Sequence, residues 1–446
     1  MSRTEEMLAE LRRYVITEPL PFVVDLERSH GMWLATLDGR ELFDWAGYYG
    51  SKLIGHNDPR LYEPDYVRRL VRAANNKVAN PDFLTEECLA YYREIYRLAP
   101  RCMQNPELEV YTVNSGAEAV ENMMKYLINL HLQKFKGVRP EDVRRRFVYF
   151  DQAFHGRTVF ALGVTGLSVD PVITRDFRGF DHGNIRVDFP AVNTDEPADV
   201  NHARTVNALQ EVEKHLQEDS AGIVGIIVEP LQGAGGHRVA EAEFYRGLSR
   251  LAHDYGVFLG FDEVQTAGGQ TGTFFLLDQF DLPYPPQAVA SAKKMACGVV
   301  YMMHPMEDRG VLDSTWGGTL ADMVRFVQEM RIVREDRLIE QVPKKTERLV
   351  AGLHSLAASY PELIGNVRGA GLYQGFTVRD AATTRELITL ARERADLLLL
   401  KAGSDSIRLR PALTVTSEEI EELEMRLGRA LRAVRESAAD TGTGNA

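Results

Sequence analysis

Two apolar rhythms alternate between about residue 105 and residue 300. Short runs of β-branched, aromatic and other apolar residues (LEVYTV, RFVYFD, GIVGIIV, VFLGFDE and QAVASA) predict strands buried on both faces. Between some of them the spacing lengthens to three and four. Val120, Met123, Met124, Leu127 and Ile128 fall on one helical face, which predicts a helix starting near Gly116, and AEFYRGLSRLAHDYG predicts another. Strands alternating with helices imply an α/β fold, a mostly parallel sheet covered on both sides. Binding residues in such a fold collect at the carboxyl ends of the strands.

The pattern changes after about Asp322. Two long amphipathic helices, the short strands GLYQGFTV and SIRLRPALTV, and the helix SEEIEELEMRLGRALRAVRES predict a smaller α+β domain. GMWLATLDGRELFDW reads as a hairpin that packs with it. The expected division is an N-terminal segment 1–60, a large domain 61–325, a small domain 326–436 and a disordered tail 437–446, SAADTGTGNA.

At 446 residues the chain exceeds one small core. Its net charge of −12 argues against a nucleic-acid partner, which calls for a basic surface. The cluster Arg144-Arg145-Arg146 reads as a solvated helix end. Three scattered cysteines are too few for a disulfide framework or a zinc site. No apolar stretch reaches the ~20 residues that span a bilayer, and the acids in MSRTEEMLAELRRYV argue against a targeting peptide. A soluble, cytoplasmic protein is expected.

Chemistry gathers at the predicted strand ends. LEVYTV runs into Ser115-Gly116-Ala117 at a helix N-terminus, where free N–H groups and the dipole favour phosphate; a tight turn capped by Ser115 is the plainer alternative. The P-loop pattern is missing, and RGAGLYQG only imitates a dinucleotide fingerprint. VFLGFDE ends on Asp262. Lys293 follows 31 residues later, after AVASA, as the first of a Lys-Lys pair. A lysine beside an acid at a sheet edge suggests an amine nucleophile, and those are the two protein groups pyridoxal phosphate requires; an exposed lysine pair is the competing reading. In FDQAFHGRTVF, Phe154 can stack on a flat ring and Arg157 can clamp a carboxylate, while His155 reads as a packed loop histidine. Arg408 and Arg410 share one face of SIRLRPALTV.

Taken together, NSGAEAVENMMK, FHGRT, EPLQGAGG, FDEVQTAGGQTGTFF, the strand-end lysine, STWGG, VRGAGL and IRLRP, in this order, resemble the class III pyridoxal-phosphate aminotransferases. Within the class the likeness runs to the L-lysine 6-aminotransferases, through NNKVANPD, KKMACG and STWGGTLADMVR. The resemblance implies a fold type I transferase with a seven-stranded-type sheet, acting as a homodimer with shared sites. It implies that Lys293 forms the Schiff base and moves the proton, and that Asp262 pairs with the ring nitrogen. Gln265 would contact the ring hydroxyl and Phe154 stack on the ring. Ser115, Gly116 and Ala117 would bind phosphate, helped by Thr315 of the neighbouring subunit. Arg157 and Arg408 would bind carboxylates, and Glu229 would support the site near Gln265. The implied reaction passes the ε-amino group of lysine to 2-oxoglutarate, giving glutamate and a semialdehyde that cyclises.

One position departs from the pattern. The family usually carries a second glutamate five residues after the first, where this chain has Ala234. That glutamate pairs with the arginine matching Arg408 while an ω-amine substrate is bound. Without it Arg408 is expected to stand unpaired, and breaking a buried pair costs about 3–5 kcal/mol. Water, another acid or a substrate carboxylate are the candidates to compensate. The change opens one alternative, a different donor such as an α-amino acid; an amino-acid racemase or epimerase on the same scaffold is a separate one.

Overall fold

The computed structural model describes residues 2–16, 19–168, 170–177, 179–180 and 182–443. Its centre is a seven-stranded sheet. Across the sheet the strands run Glu109–Val113, Gly298–Met302, Ala288–Ser291, Phe258–Asp262, Ile223–Val228, Arg146–Phe150 and Ile185–Val187. Five neighbouring strands, from Ala288–Ser291 to Ile185–Val187, are parallel, while Gly298–Met302 is antiparallel to both its neighbours. Helix Gly116–Leu132 covers one face, and helix Ala242–Asp254 lies against the two central strands from the other. The double cover explains the unbroken apolar run of Ile223–Val228, all six residues of which are buried. Val224 and Ile227 enter the core under Gly116–Leu132, and Ile226 and Val228 enter the opposite core. Each such side chain contributes roughly 1.5–3 kcal/mol by leaving water.

The C-terminal part has its own antiparallel sheet, in the order Ile364–Ala370, Tyr373–Val378, Ser406–Arg408 and Leu400–Ala402. The stretch that imitates a dinucleotide fingerprint is the hairpin between its first two strands. The N-terminal strands Val24–His30, Trp33–Thr36 and Glu41–Asp44 form a meander, and Leu397–Leu398 joins its edge in parallel. Arg144 and Arg146 both pair with Asp219.

Helix Ser417–Thr443 enters the tail segment 437–446, of which residues 444–446 lie outside the described residues. Ala438 and Ala439 are strong helix formers, and no glycine intervenes before Gly442. Among the described residues no helix is long and apolar enough to cross a membrane.

Candidate active site

Strand Phe258–Asp262 delivers its last residue to the sheet's carboxyl edge, where Asp262 is buried. One carboxylate oxygen accepts from the Val264 backbone N–H at 2.9 Å, and the other lies 2.7 Å from Nδ1 of the fully buried His155. Burial alone would lower the pKa of His155. The hydrogen bond and charge of Asp262, joined by the charge of Glu229, reverse that and raise it. His155 is thus more than loop packing: it holds the acid in place. Nothing in the chain pattern joins these residues, which stand 107 positions apart.

Lys293 follows strand Ala288–Ser291 and opens a single 3₁₀ turn. Its φ of 51° is in the left-handed region, a strained choice for a side chain with a Cβ and one that clusters at functional sites. Lys293 and its neighbour Lys294 have different surroundings. Lys294 Nζ is buried and donates to Gly50 O, Gln265 O and the Tyr373 hydroxyl. Lys293 Nζ donates to Tyr49 O at 3.2 Å, and its side chain lines the cavity together with Asp262. Lys293 is therefore the amine of the pair that is placed to react.

Its basicity is tuned as well. Burial, then the charges of Arg408 and Arg410, lower Lys293 from 10.5 to about 8. A depressed lysine pKa means that a neutral, nucleophilic amine exists above about pH 8. The rate of cofactor capture by the apo-protein, followed by visible absorbance, is expected to rise with pH through a midpoint near 8. A midpoint near the ordinary lysine value of about 10.4 would show that neither burial nor the arginines act on this amine.

Phe154, Gly116, Ala117 and Gln265 line the same cavity. Gly116 starts its helix against Val264, where an added Cβ would lie 2.6 Å from the valine methyl. Ser115 Oγ accepts from the Glu118 N–H, so the hydroxyl caps the helix while the first-turn N–H groups stay at the mouth. Glu229 Oε1 accepts from the Phe154 N–H at 2.9 Å, which ties the strand's acid to the aromatic wall rather than directly to Gln265. Burial raises Glu229 to about 7, against the charge of His155. Thr315 is exposed and does not line this cavity in the single chain.

A second, adjoining space of ≈ 330 Å³ shares Phe154, Ala234, Gln265 and Lys293, and adds Tyr49, Arg157, Lys401 and Arg408. Arg157 is exposed at its rim, 5.9 Å from the Phe154 ring centre. Arg408 is only 7% exposed. Among the described residues it has no ion pair and no side-chain hydrogen bond, and its Nε is buried without a partner. Burial lowers its pKa to about 10. Arg410, 1% exposed, donates to Gln265 Oε1 at 2.7 Å and lies 3.1 Å from His237 Nδ1. That bond occupies the oxygen of Gln265 and leaves its amide N–H groups as the remaining donors. The roles of Tyr49, Lys401, Tyr373 and His237 had no sequence signal, because loops far apart in the chain bring them together.

The glycine-rich loop after Glu229 is pinned from the C-terminal sheet. Buried Arg368 donates to Gly236 O, His237 O, Asn366 O and the hydroxyls of Thr377 and Ser406. Gly403 N–H donates to Ala234 O. A Cβ on Gly233 would fall 1.7 Å from Gln265 Oε1, so a side chain there would displace the Gln265 amide from its bond with Arg410.

A neutral amine, a buried carboxylate, an aromatic wall and free helix N-terminal groups in one cavity fit a pyridoxal-phosphate ring, with its aldehyde, ring nitrogen and phosphate. Comparison with known proteins agrees. Residues 15–431 match the family model described as aminotransferase class-III. The chain is 30% identical over 442 residues to the L-lysine-epsilon aminotransferase of Streptomyces clavuligerus, covering 96% of this chain and 94% of that one. It is 32% identical to the enzyme of the same description from Mycobacterium tuberculosis, over 92% of each chain. The solved structure of the M. tuberculosis lysine aminotransferase in its internal aldimine form superposes with a TM-score of 0.89 at 30% identity, over 97% of this chain and all of that one. The chain belongs to the class III aminotransferases, and its cofactor is pyridoxal 5′-phosphate.

Proposed function

We propose that the enzyme transfers the ε-amino group of L-lysine to 2-oxoglutarate, giving glutamate and a semialdehyde that cyclises. It would act in the cytoplasm as a homodimer in which Thr315 of a second copy reaches the phosphate. The reading is carried by one observation: the amine of Lys293 shares a cavity with two guanidinium groups, Arg157 and Arg408, so an amine can react while a carboxylate is held. When bound, pyridoxal phosphate supplies an aldehyde and an electron sink.

The chain's own residues do the rest. With the cofactor bound, Lys293 Nζ would hold and move the proton of the donor's reacting carbon. Asp262, oriented by His155, would set a negative charge against the ring nitrogen. Phe154 would cover the ring, and the amide N–H of Gln265 would donate to its hydroxyl. Ser115, Gly116 and Ala117 would hold the phosphate at the helix N-terminus. Arg157 binds the donor's far carboxylate, and Arg408 binds a carboxylate of the acceptor. Glu229 fixes the backbone of Phe154.

Incubation with lysine and 2-oxoglutarate is expected to yield glutamate and a cyclic imine in equal amounts. Absence of lysine turnover under all conditions would overturn the donor assignment, and loss of optical activity without any oxo acid would indicate a racemase or epimerase. The lone Arg408 beside Ala234 favours a second reading, a donor whose reacting carbon carries its own carboxylate. In that case Ala234→Glu should raise turnover with lysine relative to α-amino donors. An unchanged ratio would remove that reading's support.

A further inference from the structure

Arg408 presents an unusual electrostatic situation. Its Nε is buried without a partner, its side chain lines the cavity with no ion pair among the described residues, and the ring of Tyr49 is 6.0 Å away. Ala234 lines the same space and its methyl group offers neither charge nor hydrogen bond; Asp170, also on the lining, makes no ion pair with Arg408. Lys293 and Lys401 line the same space. A donor such as lysine enters with its reacting end free of any carboxylate and carrying a positive charge before it is deprotonated. Beside a guanidinium that no acid pairs, that end is repelled, because like charges in a half-buried cavity interact more strongly than in bulk water. A dicarboxylate acceptor has no such difficulty, since it brings an anion for Arg408.

Resting on the lysine reading above, we propose that Arg408 and the space beside Ala234 form a subsite for a small monoanion of the formate or acetate class. That anion neutralises Arg408 during the amine half-reaction and leaves when the 2-oxo acid binds. The subsite is bounded by Arg408, Ala234, Gln265 and Lys293, with Tyr49 at its side. The loop carrying Ala234 is fixed by Gly403 N–H on Ala234 O at 2.9 Å, so the space persists instead of collapsing onto the arginine. Burial, and for Lys293 the charges of Arg408 and Arg410, lower the basicity of both groups further than the charge of Glu229, with that of Asp262 on Lys293, restores it.

One ligand therefore has opposite effects on the two halves of the reaction. In holoenzyme kept in a chloride-free zwitterionic buffer, with ionic strength held constant by gluconate, formate should accelerate the lysine half-reaction saturably, by about tenfold. It should raise the KM for 2-oxoglutarate competitively. Ala234→Glu should abolish the acceleration. Without any donor, formate should shift the pH midpoint of the visible band of the lysine-bound cofactor upward, because an anion beside a protonated nitrogen favours its protonation.

The band shift separates the two ideas. A shift together with failure of lysine to react in any buffer would sink the donor assignment and leave the anion site standing. Lysine turnover that ignores formate, with no band shift, overturns the anion site. So does a formate response that Ala234→Glu retains in full, since it would arise elsewhere on the protein.

Discussion

Lys293→Ala is expected to abolish amino transfer. In the proposed role the lysine supplies both the covalent attachment and the mobile proton, and a positioned acid–base group alone contributes about 10²–10⁴-fold. A fall of about 10⁴-fold or more in kcat is expected, together with loss of the visible band of lysine-bound cofactor. The neighbouring Lys294 cannot take over. Its amine is buried and already donates to three acceptors, two of them backbone carbonyls, and burial holds its basicity well below normal. Lys294→Met would also remove the ties to Gly50 and Gln265, so the cleaner comparison is Lys293→Ala against the parent. Stopped-flow measurement of a single turnover with lysine checks the prediction. Retention of more than about 1% of the parent rate would mean that another base carries the proton.

Asp262→Asn is expected to produce the second large loss. The variant keeps the shape of the strand end but removes the charge proposed to face the ring nitrogen. Electrostatic groups of this kind contribute about 10²–10³-fold in kcat. The substitution also reaches His155, whose pKa is raised by Asp262 against the pull of burial. A histidine with a raised folded pKa contributes stability fully below its unfolded pKa of about 6.5, and that contribution is lost as pH rises through the folded value. The parent apo-protein should therefore gain thermal stability on acidification in this range relative to Asp262→Asn, until other groups begin to titrate. Asp262→Ala, which leaves the imidazole with no acceptor, should destabilise by about 3–5 kcal/mol. If kcat of Asp262→Asn matched the parent, the acid's position at the sheet edge would be structural only.

Strands such as GIVGIIV were legible in the chain because a sheet covered on both faces leaves no polar position to interrupt the run. The helix from Gly116 was legible for the opposite reason, a one-sided stripe over the sheet. Gly298–Met302 escaped notice. It is fully buried and apolar, yet it follows the loop after Lys293 so closely that the pattern shows no separate element. Its antiparallel direction is a property of pairing, which composition does not encode. At the site, residues on strand ends could be read from spacing, as with Asp262, Lys293 and Phe154. Contacts between loops could not. The bond from Arg410 to Gln265 spans 145 positions, and the contact of His237 with Arg410 spans 173. Such pairs depend on how the C-terminal sheet docks, a three-dimensional fact with no local signature.

The grip of Arg368 on the glycine-rich loop bears on the order of events during folding. Gly236 and His237 belong to a loop that leaves the seven-stranded sheet, yet their carbonyls are held by a residue more than 130 positions later. Such contacts require the chain to close a long loop, as does the pairing of Glu109–Val113 with Gly298–Met302 in the large sheet. A nascent chain that has completed the large sheet already has Asp262 and Lys293 in place. It still lacks the hydrogen bonds of Arg368 and Gly403 that fix the wall containing Ala234. During synthesis the amine and the acid therefore leave the ribosome before the residues that hold this wall, and a chain cut before Arg368 would carry the first without the second or Arg408.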